Sequence, residues 1–296
     1  MSLHPDSAEL EPALALLDAR FAQTVVVLPS GERVAVRDTA AAPGDAPVIV
    51  LLHGIGSGAA SWLFVATALG TQARVLAWDA PGYGASTPLP MAEPSAADYA
   101  QRLHELLAAL HIERCVLVGH SLGALMACAF AADTGQHRVS RLVLVSPARG
   151  YGGADSTEAR RQVLATRLGK LRDRGIEGMA AEAPGRMLSA DASPSARAWV
   201  RRNAALLSPA GYAQAVRMLC GGDLMGHAAM DMPVLVACGD ADQITPPESC
   251  RQVAAHFGAP FESIARAGHA SPVEQSALVA CLVAGAANLL LNEEST

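Results

Sequence analysis

Clustered cysteine is missing from this sequence. Its six cysteines (Cys115, Cys128, Cys220, Cys238, Cys250 and Cys281) are scattered, and none forms a C-x-x-C pair or a zinc-ligand spacing. The pattern argues for no metal and for reduced thiols, several of them inside apolar runs where cysteine acts as a small core residue. Such usage fits a reducing cytoplasm. Charge is scarce as well. Asp, Glu, Lys and Arg make up 17% of the residues against 51% hydrophobic, a balance that excludes extended disorder and can fill a sheet buried on both faces.

Other absences narrow the function classes. With a formal net charge of −6 and no basic tail, aromatic-interleaved basic run or helix-turn-helix pattern, nothing pulls the chain toward nucleic acid or anionic lipid. The first twenty residues carry Asp6, Glu9, Glu11 and Asp18 and lack both the positive and the apolar region of a signal peptide. The longest apolar stretch, 276–291, is interrupted by Gly285 and Asn288 and is too short to span a bilayer. No membrane association is expected.

What is present is an alternation. A short amphipathic helix is expected over 9–21, then strands over 24–28 and 33–37 joined by Pro29-Ser30-Gly31-Glu32. After a small-residue connector over 40–47 comes Val48-Ile49-Val50-Leu51-Leu52, typical of a fully buried strand. Strands at 74–78, 115–119, 141–145, 234–238 and 261–264 alternate with helices at 96–110, 122–132, 247–256 and from 272 onward. This rhythm predicts an α/β fold: an open, mostly parallel sheet with helices on both faces. The stretch 148–226 breaks the rhythm, with no clear strand and breaks at Gly152-Gly153, Pro184-Gly185, Pro194 and Pro209. It reads as a helical cap inserted after strand 6, with 1–147 and 227–296 forming the core.

The chemistry concentrates in four segments. Gly119-His120-Ser121-Leu122-Gly123 has the G-x-S-x-G form between a strand and a helix. A serine on so tight a turn is tolerated only beside residues without bulky side chains, and the turn lifts its hydroxyl clear of the sheet. The Leu122 N–H then faces a reacting carbonyl. The second segment, Leu52-His53-Gly54-Ile55-Gly56, follows a buried strand and offers the Ile55 N–H as a second oxyanion donor. His53 reads as a structural histidine, because a better base exists. That base is His269 in Ala267-Gly268-His269-Ala270-Ser271-Pro272, and the acid is Asp242 in Gly239-Asp240-Ala241-Asp242. Asp240 is the rival acid, closer to its strand and better placed to bond loop backbone. Loops at the carboxyl ends of parallel strands gather at one edge, so Ser121, Asp242 and His269 can meet.

Together these segments resemble the α/β-hydrolase superfamily over nearly the whole chain, and the order Ser, Asp, His is that family's order. Trp78-Asp79-Ala80-Pro81-Gly82-Tyr83-Gly84 looks like its loop after the fourth strand, more often structural than catalytic. The resemblance implies a lid after strand 6, an acyl-enzyme on Ser121 and no cofactor. Ser121 stands where related dehalogenases and epoxide hydrolases use aspartate. Ser271-Pro272-Val273-Glu274-Gln275 resembles the segment after the histidine in 3-oxoadipate enol-lactonases and small esterases, although Ser271 as N-cap with Glu274 at N3 explains it equally. The expected activity is hydrolysis of a small carboxylic ester or lactone. Carbon–carbon bond hydrolysis of aromatic degradation is the alternative, disfavoured because no tryptophan follows His269, and a ligand receptor is a third.

Charge adds a clue about the substrate. Residues 148–224 hold twelve Lys and Arg against seven Asp and Glu, whereas the rest of the chain holds ten against twenty-one. A basic lid would draw in an anion. Arg160, Arg161, Arg167 and Arg186 are candidate partners for an anionic substrate, with Trp199 as an apolar wall; an ordinary solvated helix face is the competing explanation.

Overall fold

The computed structural model describes residues 7–40, 46–133, 135–153 and 156–289. Most of the connector expected over 40–47 lies outside these residues. Eight strands form one sheet: β1 (Gln23–Val27), β2 (Arg33–Asp38), β3 (Val48–Leu52), β4 (Arg74–Trp78), β5 (Cys115–His120), β6 (Val139–Val145), β7 (Val234–Gly239) and β8 (Phe261–Ile264). Their order is β1-β2-β4-β3-β5-β6-β7-β8. The β1–β2 and β2–β4 pairs are antiparallel, and every pair from β4 to β8 is parallel.

The apolar runs fill both faces by the two-residue period of a strand. Val50 and Leu52, Leu76 and Trp78, and Leu142 and Leu144 enter one core cluster. Their neighbours Ile49 and Leu51, Val75 and Ala77, and Val143 and Val145 enter the other. Helices α1 (Ser7–Arg20), α2 (Leu63–Leu69), α9 (Ser271–Glu274) and α10 (Ser276–Ala286) cover the second cluster, and α3 (Ala96–Ala109), α4 (Leu122–Ala132) and α8 (Pro247–His256) cover the first. Helix α3 begins with a capping box in which Ser95 Oγ accepts from the Asp98 N–H and Asp98 accepts from the Ser95 N–H. The sequence pattern does not announce α2, whose seven residues are too few to display a helical period. The six cysteines are unpaired and all but Cys281 are buried. No helix among the described residues is long and apolar enough to cross a membrane.

Between β6 and β7 the chain makes the helical insertion: α5 (Thr157–Met187), α6 (Pro194–Ala205) and α7 (Pro209–Gly221). Pro194 and Pro209 occupy first-turn positions behind the N-caps Ser193 and Ser208, each accepting a backbone N–H. The expected break at Pro184-Gly185 does not occur. Pro184 lies inside α5, in a stretch buried through Met179, Ala180 and Ala183, and that burial outweighs the lost backbone bond. The discontinuity falls at Gly175 instead, at φ 60° and ψ −177°, a conformation essentially reserved for glycine.

Gly175 and Gly185 both have open space where a Cβ would stand, so substitution reads backbone preference alone. Gly175→Ala is expected to destabilise by about 1–3 kcal/mol, and Gly185→Ala, in helix, to stabilise by about 0.5–1 kcal/mol. Urea midpoints at unchanged m-value check the opposite signs.

Candidate active site

Ser121 occupies the turn between β5 and α4 at φ 52° and ψ −114°. The turn is possible because of its flanking glycines. A Cβ on Gly119 would lie 2.6 Å from the Gly123 carbonyl oxygen, and one on Gly123 would strike the carbonyl oxygen of Leu52 on β3. The Ser121 N–H bonds the Val145 carbonyl at 3.0 Å, and its side chain caps no helical N–H. The hydroxyl is therefore free to turn to His269, whose Nε2 lies 2.9 Å from Oγ.

His269 Nδ1 lies 2.9 Å from Asp242 Oδ2. A carboxylate only accepts, so Nδ1 carries the proton and Nε2 presents its lone pair to Ser121. All three residues are buried. Burial raises the Asp242 pKa, but the hydrogen bond and charge of His269, with the Thr245 and Ile244 N–H groups, prevail and hold it well below the carboxylate range. Asp240 takes the other place expected of it, accepting the Ala267 N–H at 3.3 Å. Such a hydroxyl–imidazole–carboxylate chain can deliver an oxygen nucleophile while moving its proton to nitrogen.

Four residues that sequence reasoning missed, or set aside, support this chain. Thr245 Oγ1 lies 2.8 Å from Asp242 Oδ2 and 3.2 Å from His269 Nδ1. His120 Nε2 donates to the His269 carbonyl at 2.8 Å, and burial with the neighbouring His269 charge holds its pKa at about 3, so it stays neutral. Tyr83 donates to the Ile55 carbonyl at 3.0 Å and fixes that peptide. Glu274 accepts the Gly268 N–H at 2.8 Å together with the N–H and hydroxyl of Ser189, joining the His269 loop to the end of the cap. The capping role expected of Ser271 and Glu274 is not taken up: α9 has Ala270 at its N-cap and no side-chain cap bond. His53 and Asp79 are structural. His53 Nε2 accepts the Ala80 N–H at 3.1 Å, and Asp79 accepts the Ala59 N–H at 2.8 Å.

A cavity of about 400 Å³ opens over Ser121 and His269. Ile55 and Leu122 line it, Leu122 as the first residue of α4, where helical N–H groups lack internal partners. Of the lid candidates, Arg167 and Arg186 line it too, and so does Arg149. Arg160 and Arg161 do not. Ala159 faces the cavity, and a helix turns about 100° per residue. Arg160 accordingly borders a separate groove with Glu93 and Arg217, and Arg161 is exposed and paired with Glu158 at 2.7 Å. Trp199 is no cavity wall either: it is fully buried against the core, its Nε1 donating to the Ala60 carbonyl at 3.3 Å.

A model of the alpha/beta hydrolase fold matches residues 47–275. The chain belongs to the alpha/beta hydrolase fold family. Among sequence relatives, "Putative carbamate hydrolase RutD" of Escherichia coli O7:K1 is 30% identical over 260 residues, covering 85% of this chain and 95% of that protein. An uncharacterized Mycobacterium tuberculosis protein is 44% identical over 103 residues, a segment that covers 35% of this chain and only 30% of that protein. Among solved structures, the enol-lactonase of Burkholderia xenovorans LB400 superposes with a TM-score of 0.78 at 26% identity, covering 88% of this chain and 98% of that one. The malate-bound thermophilic esterase of Thermogutta terrifontis gives 0.77 at 25% identity, covering 89% and 97%.

Two outcomes follow. Because the folded Asp242 carboxyl titrates below its unfolded counterpart, its stabilisation is complete above about pH 4. It drains away as pH falls toward the folded value, so Asp242→Asn should flatten the acid limb of stability measured by urea melts between pH 2 and 5. Separately, Glu274→Ala should speed amide hydrogen exchange at Gly268 and Ser189, and Glu274→Gln, which keeps an acceptor, should do so less.

Proposed function

We propose that the protein is a serine hydrolase that cleaves a small carboxylic ester or lactone through an acyl-enzyme on Ser121. The observation that carries the reading is the pair of 2.9 Å contacts from Ser121 to His269 and from His269 to Asp242, beneath a cavity that Ser121 and His269 line. Ser121 Oγ attacks the acyl carbon while His269 Nε2 takes its proton. Asp242 stabilises the imidazolium and holds the tautomer in which Nε2 is free. The N–H groups of Leu122 and Ile55 receive the oxyanion. The imidazolium returns the proton to the leaving alcohol, and a water activated by the same histidine then releases the acid.

Solved relatives that are an esterase and an enol-lactonase support the acyl chemistry, and the relative named "Putative carbamate hydrolase RutD" extends it to a neighbouring acyl group. A cavity of about 400 Å³ suits a small molecule.

The test is turnover of short p-nitrophenyl esters, an enol-lactone and an aryl carbamate by wild type and Ser121→Ala, with fluorophosphonate labelling followed by peptide mass. The expected result is covalent labelling on Ser121 alone, and loss of about 10³-fold or more of kcat in the variant. A protein that neither turns over any of the three nor takes the label at Ser121 would overturn the reading.

A further inference from the structure

The charge inside the cavity is one-sided. Arg149, Arg167 and Arg186 line it, and its lining includes no Asp or Glu. Two of the three guanidiniums are exposed to solvent. Arg149 donates to Gln252 Oε1 at 2.7 Å, and the charge of Arg186 reaches Glu182, whose pKa it helps to lower.

Arg167 is not exposed. It is half-buried on α5, and no carboxylate among the described residues lies within ion-pair distance of it. Its charge reaches Tyr83 and Cys220, which are themselves buried and uncharged, and burial raises the pKa of both against the opposing pull of Arg167. A half-buried guanidinium without an anion is costly, and a fold that keeps one in the wall of the cavity over Ser121 leaves its charge to be neutralised by what enters. The remaining walls near it, Met179, Ala183, Leu207 and Leu219, are apolar and cannot supply that charge.

We infer that Arg167 is the specificity-determining residue of the site and that the substrate is an ester or lactone bearing one free carboxylate, bound by the Arg167 guanidinium while its acyl carbon lies over Ser121. Of the three charges only that of Arg167 is shielded, and one shielded charge matches a carboxylate better than a phosphate dianion. The flanking apolar walls accommodate the short carbon chain that separates the carboxylate from the reacting group. The inference rests on the hydrolase reading for its chemistry and on the cavity's charge for its specificity, so the two can fail separately.

The experiment compares kcat/KM for mono-p-nitrophenyl glutarate and for p-nitrophenyl pentanoate, which has the same acyl length without the carboxylate. In Arg167→Ala the anionic-to-neutral ratio should fall about 10- to 100-fold, as expected for loss of a charge-assisted pair, with the change mainly in KM. In Arg161→Ala, at a position outside the cavity, the ratio should hold. In parallel, glutarate should raise the Tm of Ser121→Ala protein but not of the Ser121→Ala/Arg167→Ala double variant. A ratio unchanged in Arg167→Ala, or a Tm shift that survives removal of Arg167, would overturn the assignment. Inorganic phosphate reproducing the Arg167-dependent Tm shift would overturn the choice of carboxylate. If wild type cleaves neither ester, the glutarate shift alone decides whether the anion site exists, and fluorophosphonate labelling of Ser121 decides the hydrolase reading separately.

Discussion

Everything at the site depends on one close approach, the backbone of α4 pressed against the end of β3. Gly123 has no side chain because the Leu52 carbonyl occupies that space, and Gly119 has none because the next turn of α4 does. This contact holds the turn at Ser121 in a left-handed conformation that a serine would not choose alone. It also brings two loops together. The peptide after β3, with Gly54 and Ile55, lies beside the start of α4, so donors from two separate strands share one cavity.

The second constraint is how the imidazole is held. His269 comes from a loop that is bonded from three sides. His120 donates to its carbonyl, Glu274 accepts the N–H of Gly268, and Ala270 donates to the Met187 carbonyl at the end of α5. Its ring meets Asp242, whose second oxygen is already taken by the N–H groups of Ile244 and Thr245 at 2.8 and 3.0 Å. A carboxylate so fixed can orient the ring without being displaced by it. The ties from Met187 and Ser189 mean that the last turn of α5 is part of the support for His269, and a disturbance of the cap's C-terminal half is transmitted to the base.

Strands and the grouping of Ser121, His269 and Asp242 were legible in the sequence because each follows from a local rule. A five-residue β-branched run between turns has few outcomes other than a buried strand, and Arg74–Trp78 and Leu122–Ala132 fall where periodicity and turn residues put them. The turn at Ser121 is legible because small residues at 119 and 123 serve no other purpose there. The cap was legible only as an insertion. Pro184-Gly185 looks like a break and is buried helix, while Gly175, with no neighbouring proline, is the true discontinuity. Tertiary burial decided the first, and burial is not written in a window of ten residues. Trp199 shows the same limit. An apolar side chain on the cap can face the cavity or the core, and the sequence does not say which.

The arginines make the physical reason plain. Arg160, Arg161 and Arg167 share a helix and a charge, and composition treats them as equal. Their fates differ through rotation about the axis of α5: one borders a side groove, one points to solvent with Glu158 beside it, and one reaches the space above Ser121. Only the last is shielded enough from water for its charge to act at short range, since exposed pairs are worth little and half-buried charges a good deal more. The core therefore sets the geometry at Ser121 in its backbone, which glycines reveal. The helical insertion sets the charge of the cavity in the direction of a few side chains. That division explains why the candidate site could be read from residue types, whereas the charge that lines the cavity required knowing which way each arginine points.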